Sequence, residues 1–139
     1  MNIAYIFNEN LDPDDQDMIN RILKIAGYNP ENEFPVDLSS VDAETTIGVV
    51  GLPIETTDAD IIDLKTKKFS SVGIRIVGIW LRSESIGKTT IPECLEKYGS
   101  ATVSSESPDI HDVLRGSNDT WEEPSGTPRP NKPIKRNRC

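Results

Sequence analysis

Ile3-Ala4-Tyr5-Ile6-Phe7 is a short apolar run, and Asp12-Pro13-Asp14-Asp15 follows it after a brief polar stretch. The apolar run predicts a β-strand. The second motif predicts a helix start, because aspartate at the N-cap, proline at the first helical position and acids in the first turn all favour one. Two further strand-to-helix units follow. This order is typical of a three-layer, doubly wound α/β domain with a parallel sheet.

The strands expected inside this sheet are apolar without alternation. Ile47 to Leu52 and Ile74 to Leu81 have this pattern, which is typical of parallel strands covered on both faces. In the second of these, Gly78 predicts a close approach of a packing helix to the backbone. A further short strand is expected at Ala101 to Ser104, and an edge strand around Phe34 to Leu38. We predict at least four strands in the order 2-1-3-4.

Helices are predicted between the strands. The first has apolar residues at three- and four-residue spacing and ends at Gly27, a residue typical of a left-handed helix stop. Three more helices are expected, at Asp58 to Phe69, at Ile91 to Tyr98 and from Ser107 to Gly116.

Charge and composition divide the 139 residues into two parts. Residues 1–116 hold 20 acids and 10 bases, a net charge of −10, whereas residues 117–139 hold three acids and five bases, a net charge of +2. Four prolines beyond Gly116 disfavour a regular helix or a central strand. We therefore predict an α/β domain at 1–116 and a proline-rich, basic C-terminal tail at 117–139. The acidic domain disfavours nucleic acid and anionic membranes as partners.

The sequence carries no signal for export, membrane insertion or metal binding. It contains no apolar stretch of signal-peptide or membrane-spanning length, so we expect a cytoplasmic protein. Cys94 and Cys139 lack a C-x-x-C spacing and the chain has one histidine, so we expect neither a metal site nor a disulfide scaffold.

Polar residues follow the first strand at the edge where open α/β sheets bind ligands. Asn8 and Glu9 come directly after this strand, and Arg82 and Glu84 follow Ile74 to Leu81. These residues are candidates for a crevice between the ends of the first and third strands. The acids that follow the first strand, Glu9, Asp12, Asp14 and Asp15, have an alternative interpretation. They form a solvated loop and stabilise the start of the helix that follows.

Three stretches together resemble a known family. They are Gly73-Ile74-Arg75-Ile76-Val77-Gly78-Ile79-Trp80-Leu81, then Ile91-Pro92-Glu93-Cys94-Leu95-Glu96-Lys97-Tyr98-Gly99, and the tail from Trp121 to Cys139. The sequence resembles small bacterial TIR-like proteins of flavodoxin-like architecture, as a fold pattern over residues 1–116. This resemblance implies one of two functions: NAD cleavage, or assembly and signalling, often in antiviral defence.

The NAD-cleaving members of that superfamily use a glutamate on a helix beside the nicotinamide ribose, where its carboxylate stabilises developing positive charge. The matching helix, Asp58 to Phe69, has no glutamate; Asp63 stands nearest the expected place and is one methylene shorter. A carboxylate misplaced by about 1 Å can lose on the order of a hundredfold in rate. We therefore expect a signalling or protein-interaction module without a cofactor. The alternative is an NAD-cleaving enzyme with Asp63, Glu9 and Glu84 as catalytic residues and Asn8 and Arg82 as NAD-binding residues.

The tail is expected to be a contact element. Trp121 is its apolar anchor, and burial of this side chain outweighs any single exposed ion pair. The tail is expected either to clasp the acidic domain or to engage an acidic partner, which is another protein or a second copy of the chain. Its five bases are Arg129, Lys132, Lys135, Arg136 and Arg138.

Overall fold

The computed structural model describes residues 2–9, 11–52, 59–81, 93–105 and 107–116. Strands and helices alternate along these ranges: β1 Ile3–Ile6, α1 Pro13–Ile25, β2 Asn29–Glu31, β3 Thr46–Leu52, α2 Ala59–Ser71, β4 Arg75–Trp80, α3 Glu93–Tyr98, β5 Ala101–Ser104 and α4 Ile110–Arg115. A short 3-10 helix, Leu38–Ser40, lies between β2 and β3. No helix in these ranges is long and apolar enough to cross a membrane.

The described strands form one parallel sheet in the order β2-β1-β3-β4-β5. This is the strand order of the flavodoxin-like fold, so the predicted doubly wound sheet and its order are confirmed. Every residue of β3 is buried, as is every residue of β4 after Arg75. The predicted close approach at Gly78 is also present, because an added Cβ would lie 3.1 Å from Leu95 Cδ2 of α3.

The core has two halves, one on each face of the sheet. Ile19 and Leu23 of α1 pack on one face together with Val113 and Leu114 of α4. On the other face, a second cluster joins α2 and α3 to the strands; it includes Ile62, Phe69 and Leu95. The apolar stripe of α1 and the left-handed stop at Gly27, where φ is 96°, agree with the prediction for this helix.

The position of β2 corrects the predicted edge strand. That strand was expected around Phe34 to Leu38, but β2 is Asn29–Glu31 and pairs with β1 directly after the Gly27 turn. The Asn29 amide donates to the Asn2 carbonyl oxygen at 2.9 Å. Phe34 lies outside the strands, and its ring stacks on Phe69 of α2.

Three side chains tie α4 to the rest of the domain; we call them the α4 clasp. The Tyr28 hydroxyl donates to the Leu114 carbonyl oxygen at 3.0 Å, and Arg75 donates to the Val113 carbonyl oxygen at 2.8 and 3.2 Å. Arg115 donates to the Ala26 carbonyl oxygen at 3.2 Å. Burial raises the pKa of the Tyr28 hydroxyl, and the positive charges of Arg75 and Arg115 partly oppose this rise.

Candidate functional site

The candidate site lies at the carboxyl ends of β1 and β3, where the strand order reverses direction. Asn8 follows β1 and is buried. Its Nδ2 donates to the Gly51 carbonyl oxygen at 2.9 Å, and its Oδ1 accepts from the Gly51 amide at 2.8 Å. A primary amide offers both a donor and an acceptor, so one side chain satisfies both backbone groups of Gly51. Asn8 therefore fastens the end of β1 to β3.

Lys65 of α2 reaches the same carboxyl end of the sheet. Its Nζ donates to the Phe7 carbonyl oxygen and to Glu9 Oε2, each at 3.0 Å. The Lys65 side chain is only 7% exposed, whereas that of Glu9 is 56% exposed. The ammonium group is thus held mainly inside the protein, and the Glu9 carboxylate faces solvent on its outer side.

A cluster of aromatic rings lies beside Lys65. Its Nζ lies 5.7 Å from the centre of the Phe34 ring, a distance at which a cation is attracted to an aromatic face. The Phe34 ring stacks on Phe69 with a centroid distance of 5.0 Å and meets Phe7 edge-on at 5.9 Å. Among the described residues, the side chains of Lys65, Phe34 and Phe69 therefore occupy the side of this site that faces α2.

Asp63 contacts a different part of the domain. Its Oδ1 accepts a hydrogen bond from the Cys94 amide at 3.2 Å, beside the start of α3. Asp63 and Lys65 are two positions apart on α2 and therefore point roughly 200° apart around its axis. Since Lys65 contacts Glu9 and Asp63 contacts α3, the two predicted carboxylates lie towards opposite flanks of α2.

The structure thus groups Asn8 and Glu9 and separates Asp63 from them. Arg82 and Glu84 lie outside the described residues. The same holds for all predicted partner-binding residues of the tail: Trp121, Arg129, Lys132, Lys135, Arg136 and Arg138.

Lys65 and Phe34 were not predicted as site residues. A signal for Lys65 is present in the sequence, because it lies in the apolar stripe of α2, between Ile62 and Phe69. A lysine at such a position is rarely fully buried unless its charge has a partner. Phe34 carries no comparable signal, because it stands in an irregular polar segment.

Cys94 corrects one sequence-based expectation. The cysteine spacing suggested no disulfide scaffold, yet Cys94 is buried and disulfide-bonded. The second cysteine of the chain, Cys139, lies outside the described residues. Among the residues that the structure describes, no group of three or more His, Cys, Asp or Glu side chains is placed to hold a metal ion.

A separate surface groove of about 480 Å³ lies between α1 and β2. Its lining is mostly amide and charged groups, contributed by Asn20, Lys24, Asn29, Pro30, Glu31 and Asn32. It lies beside the edge strand rather than at the β1–β3 crevice.

Comparison of the chain with protein-family models, with curated proteins and with solved structures finds no match.

Proposed function

We propose that this chain is a TIR-like signalling or protein-interaction module, cytoplasmic and active in bacterial antiviral defence, and that it does not cleave NAD. One observation carries the proposal: the two described carboxylates predicted to be catalytic are both engaged by the domain itself. Glu9 pairs with Lys65, and Asp63 accepts from the Cys94 amide.

These contacts disfavour NAD cleavage for an electrostatic reason. A carboxylate that stabilises a developing cation acts through its negative charge, directed at the reacting atom. The ammonium group of Lys65, 3.0 Å from Glu9, offsets much of that charge. Asp63 lies towards the other flank of α2, so the two carboxylates do not face one common substrate position.

The outer surface of α2 supports a protein partner. Leu64 is 47% exposed and Val72, directly after the helix, is 41% exposed. Lys67 and Lys68 are exposed beside them, on a chain whose net charge is −8. An apolar surface with adjacent bases fits a partner that is apolar and acidic. A second copy of this acidic chain meets the charge requirement.

NAD turnover by the purified full chain tests the enzymatic alternative. We expect no turnover above background, alone or after forced clustering. Turnover that disappears in Asp63→Ala would overturn the proposal and make Asp63 catalytic. Turnover that survives Asp63→Ala but falls in Glu9→Ala or Glu84→Ala would place the catalytic carboxylate in the crevice loops, with Asn8 and Arg82 as the first NAD-binding candidates.

Sedimentation over a range of concentrations tests the interaction surface. We expect Leu64→Glu to weaken self-association, since it places a charge on the apolar part of the surface. Ile25→Glu is the matched control: Ile25 is 62% exposed, but it belongs to α1 on the opposite face of the sheet. Equal self-association of the two variants would exclude the α2 surface. A wild-type chain that is monomeric throughout would exclude self-association.

A plating assay in bacteria that express the chain tests the defence setting. We expect the wild type and Ile25→Glu to reduce phage plating, and Leu64→Glu to restore it. If all three plate phage like an empty control, the antiviral part of the proposal is wrong.

A further inference from the structure

Exposed apolar side chains are concentrated on one face of the sheet. Among the residues that the structure describes, the large ones are Ile25, Val36, Leu64 and Val72. Ile25 belongs to α1, whereas Leu64 and Val72 belong to the α2 surface on the opposite face. Val36 is 104% exposed, so solvent surrounds its whole side chain. An apolar side chain in this position contributes no burial to the folding of a single copy.

Val36 lies beside α2, in the segment that joins β2 to β3. This β2–β3 segment, residues 32–45, starts at the carboxyl end of β2 and ends at the amino end of β3, so it crosses one face of the parallel sheet. Phe34, Leu38 and Val41 pack against the core cluster of the α2 face. The segment therefore crosses the α2 face, and Val36 stands on its outer side.

The β2–β3 segment and the C-terminal half of α2 carry opposite charges. The segment contains no base and four exposed acids: Glu33, Asp37, Asp42 and Glu44. Residues 65–71 of α2 contain no acid, and Lys67 and Lys68 are exposed there. Neither of these two lysines forms an ion pair with another described residue. Each of the two surfaces thus offers charge to a partner of the opposite sign.

The two surfaces also lie side by side. α2 follows β3 and precedes β4, which is parallel to β3, so it runs from the carboxyl end of the sheet to the amino end, as the β2–β3 segment does. When two copies face each other about a two-fold axis along the border between these surfaces, the α2 surface of each copy meets the β2–β3 segment of the other. Each contact is then made twice, as in any isologous pair.

We propose that two copies of this chain form such a two-fold dimer, in which the α2 surface of each copy docks on the β2–β3 segment of the other. The apolar contact joins Val36 to Leu64 and Val72, and the lysines of α2 face the acids of the segment. Charge complementarity of this kind fixes the register of an interface. The inference rests on the protein partner proposed above for the α2 surface, and it names that partner and its counter-surface.

Charge reversal in the full chain tests the pairing by sedimentation. The first variant combines Lys67→Glu with Lys68→Glu, and the second combines Glu33→Lys with Glu44→Lys. The second variant retains Asp37 and Asp42, which accept from the backbone amides of the segment at 3.0 Å. We expect each variant to raise the dimer Kd at least about tenfold, because like charges then face each other.

An equimolar mixture of the two variants is the decisive sample. Both contacts of the mixed pair join opposite charges, so we expect the mixture to form dimers with about the wild-type Kd. A mixture that associates no more tightly than either variant alone would overturn the proposal. Assemblies that grow beyond the dimer with concentration would refute the two-fold arrangement, because head-to-tail docking leaves both surfaces open at the ends of a chain.

General charge repulsion is controlled within the same experiment. The second variant changes the net charge from −8 to −4, so repulsion alone predicts tighter association, whereas the proposal predicts weaker association. Asp14→Lys with Asp17→Lys makes the same change of net charge at exposed positions of α1, on the other face. We expect this control to dimerise at least as tightly as wild type. A control weakened as much as the second variant would refute the pairing.

Val36→Glu keeps the proposal testable if a charge-reversed variant fails to fold, since a fully exposed side chain is replaced. It should raise the dimer Kd at least about tenfold, and an unchanged Kd would overturn the proposal. If Leu64→Glu weakens association and the segment variants do not, this dimer is refuted while the interaction function stands. A monomeric wild type also refutes the dimer. NAD turnover by the chain would refute the proposed function instead.

Discussion

Replacing Asn8 with alanine should destabilise the domain more than its small size suggests. The change removes two hydrogen bonds, at 2.9 and 2.8 Å, that join residues 43 positions apart in the sequence. It also leaves the N–H and C=O groups of Gly51 without their partner in a buried position.

The magnitude follows from these two bonds. A neutral hydrogen bond contributes about 0.5 to 1.5 kcal/mol net, and a buried group left unsatisfied costs about 1 to 3 kcal/mol. The loss of two such bonds amounts to about 1 to 3 kcal/mol, and the buried position of Asn8, which is 7% exposed, places the total in the upper part of this range. We therefore expect Asn8→Ala to lower the free energy of unfolding by about 2 to 3 kcal/mol.

Urea unfolding of the full chain measures this loss. The control is Asn32→Ala, since Asn32 is exposed and its one hydrogen bond, from Gln16, is long at 3.3 Å. That control should change stability by less than about 0.5 kcal/mol. A loss below about 1 kcal/mol in Asn8→Ala would contradict the proposed pairing with Gly51.

Asn8→Asp tests the donor separately. An ionised carboxylate still accepts from the Gly51 amide, but its second oxygen is repelled by the Gly51 carbonyl oxygen. The pKa of the new carboxyl should therefore rise on folding. A group with a raised pKa in the folded state favours folding at low pH. The deficit of Asn8→Asp relative to wild type should therefore shrink as the pH falls towards about 4. A deficit that is constant with pH would refute the role of the donor.

Three further predictions concern other parts of the domain. Gly78→Ala should lower the free energy of unfolding in urea by about 1 to 3 kcal/mol, because its Cβ would lie 2.9 Å from Leu52 Cδ1; unchanged stability would contradict the close approach. Lys65→Met should lower the free energy of unfolding in urea by about 1.5 to 3 kcal/mol, because it removes charge-assisted hydrogen bonds. Glu9→Gln should lower it by less than about 1 kcal/mol, because Glu9 is exposed. The opposite ranking would refute the contacts of Lys65 with Phe7 and Glu9. The pKa of Tyr28 is raised on folding, so its contribution to stability is complete below the unfolded pKa of about 10 and is lost as the pH rises further. Urea unfolding at several pH values should therefore show a smaller loss of stability at alkaline pH in Tyr28→Phe than in wild type.

Much of the fold was predictable because its signals are local. Unbroken apolar runs mark β3 and β4, and Asp12, Pro13 and Gly27 mark the ends of α1. The edge strand was misplaced because Asn29–Glu31 carries no apolar signal. Its pairing with β1 is set by hydrogen bonds to a neighbouring strand rather than by burial.

The site was only partly predictable because its contacts join distant parts of the sequence. The order of the sheet correctly placed Asn8 and Glu9 at the β1–β3 edge. The sequence spacing did not show that Lys65, 58 positions after Phe7, bonds to the Phe7 carbonyl oxygen. Nor did it show towards which flank of α2 Asp63 lies, since that depends on the packing of α3.

The α4 clasp has a consequence for how the domain opens. A six-residue helix is too short to persist by its own propensity and would ordinarily fray. Here, detaching α4 breaks the bonds from Tyr28 and Arg75 and exposes Val113 and Leu114, both fully buried. Partial opening that begins at α4 therefore disturbs α1, β2 and β4 at once. We expect α4 to unfold together with the sheet as one cooperative unit, rather than as a separate low-energy step.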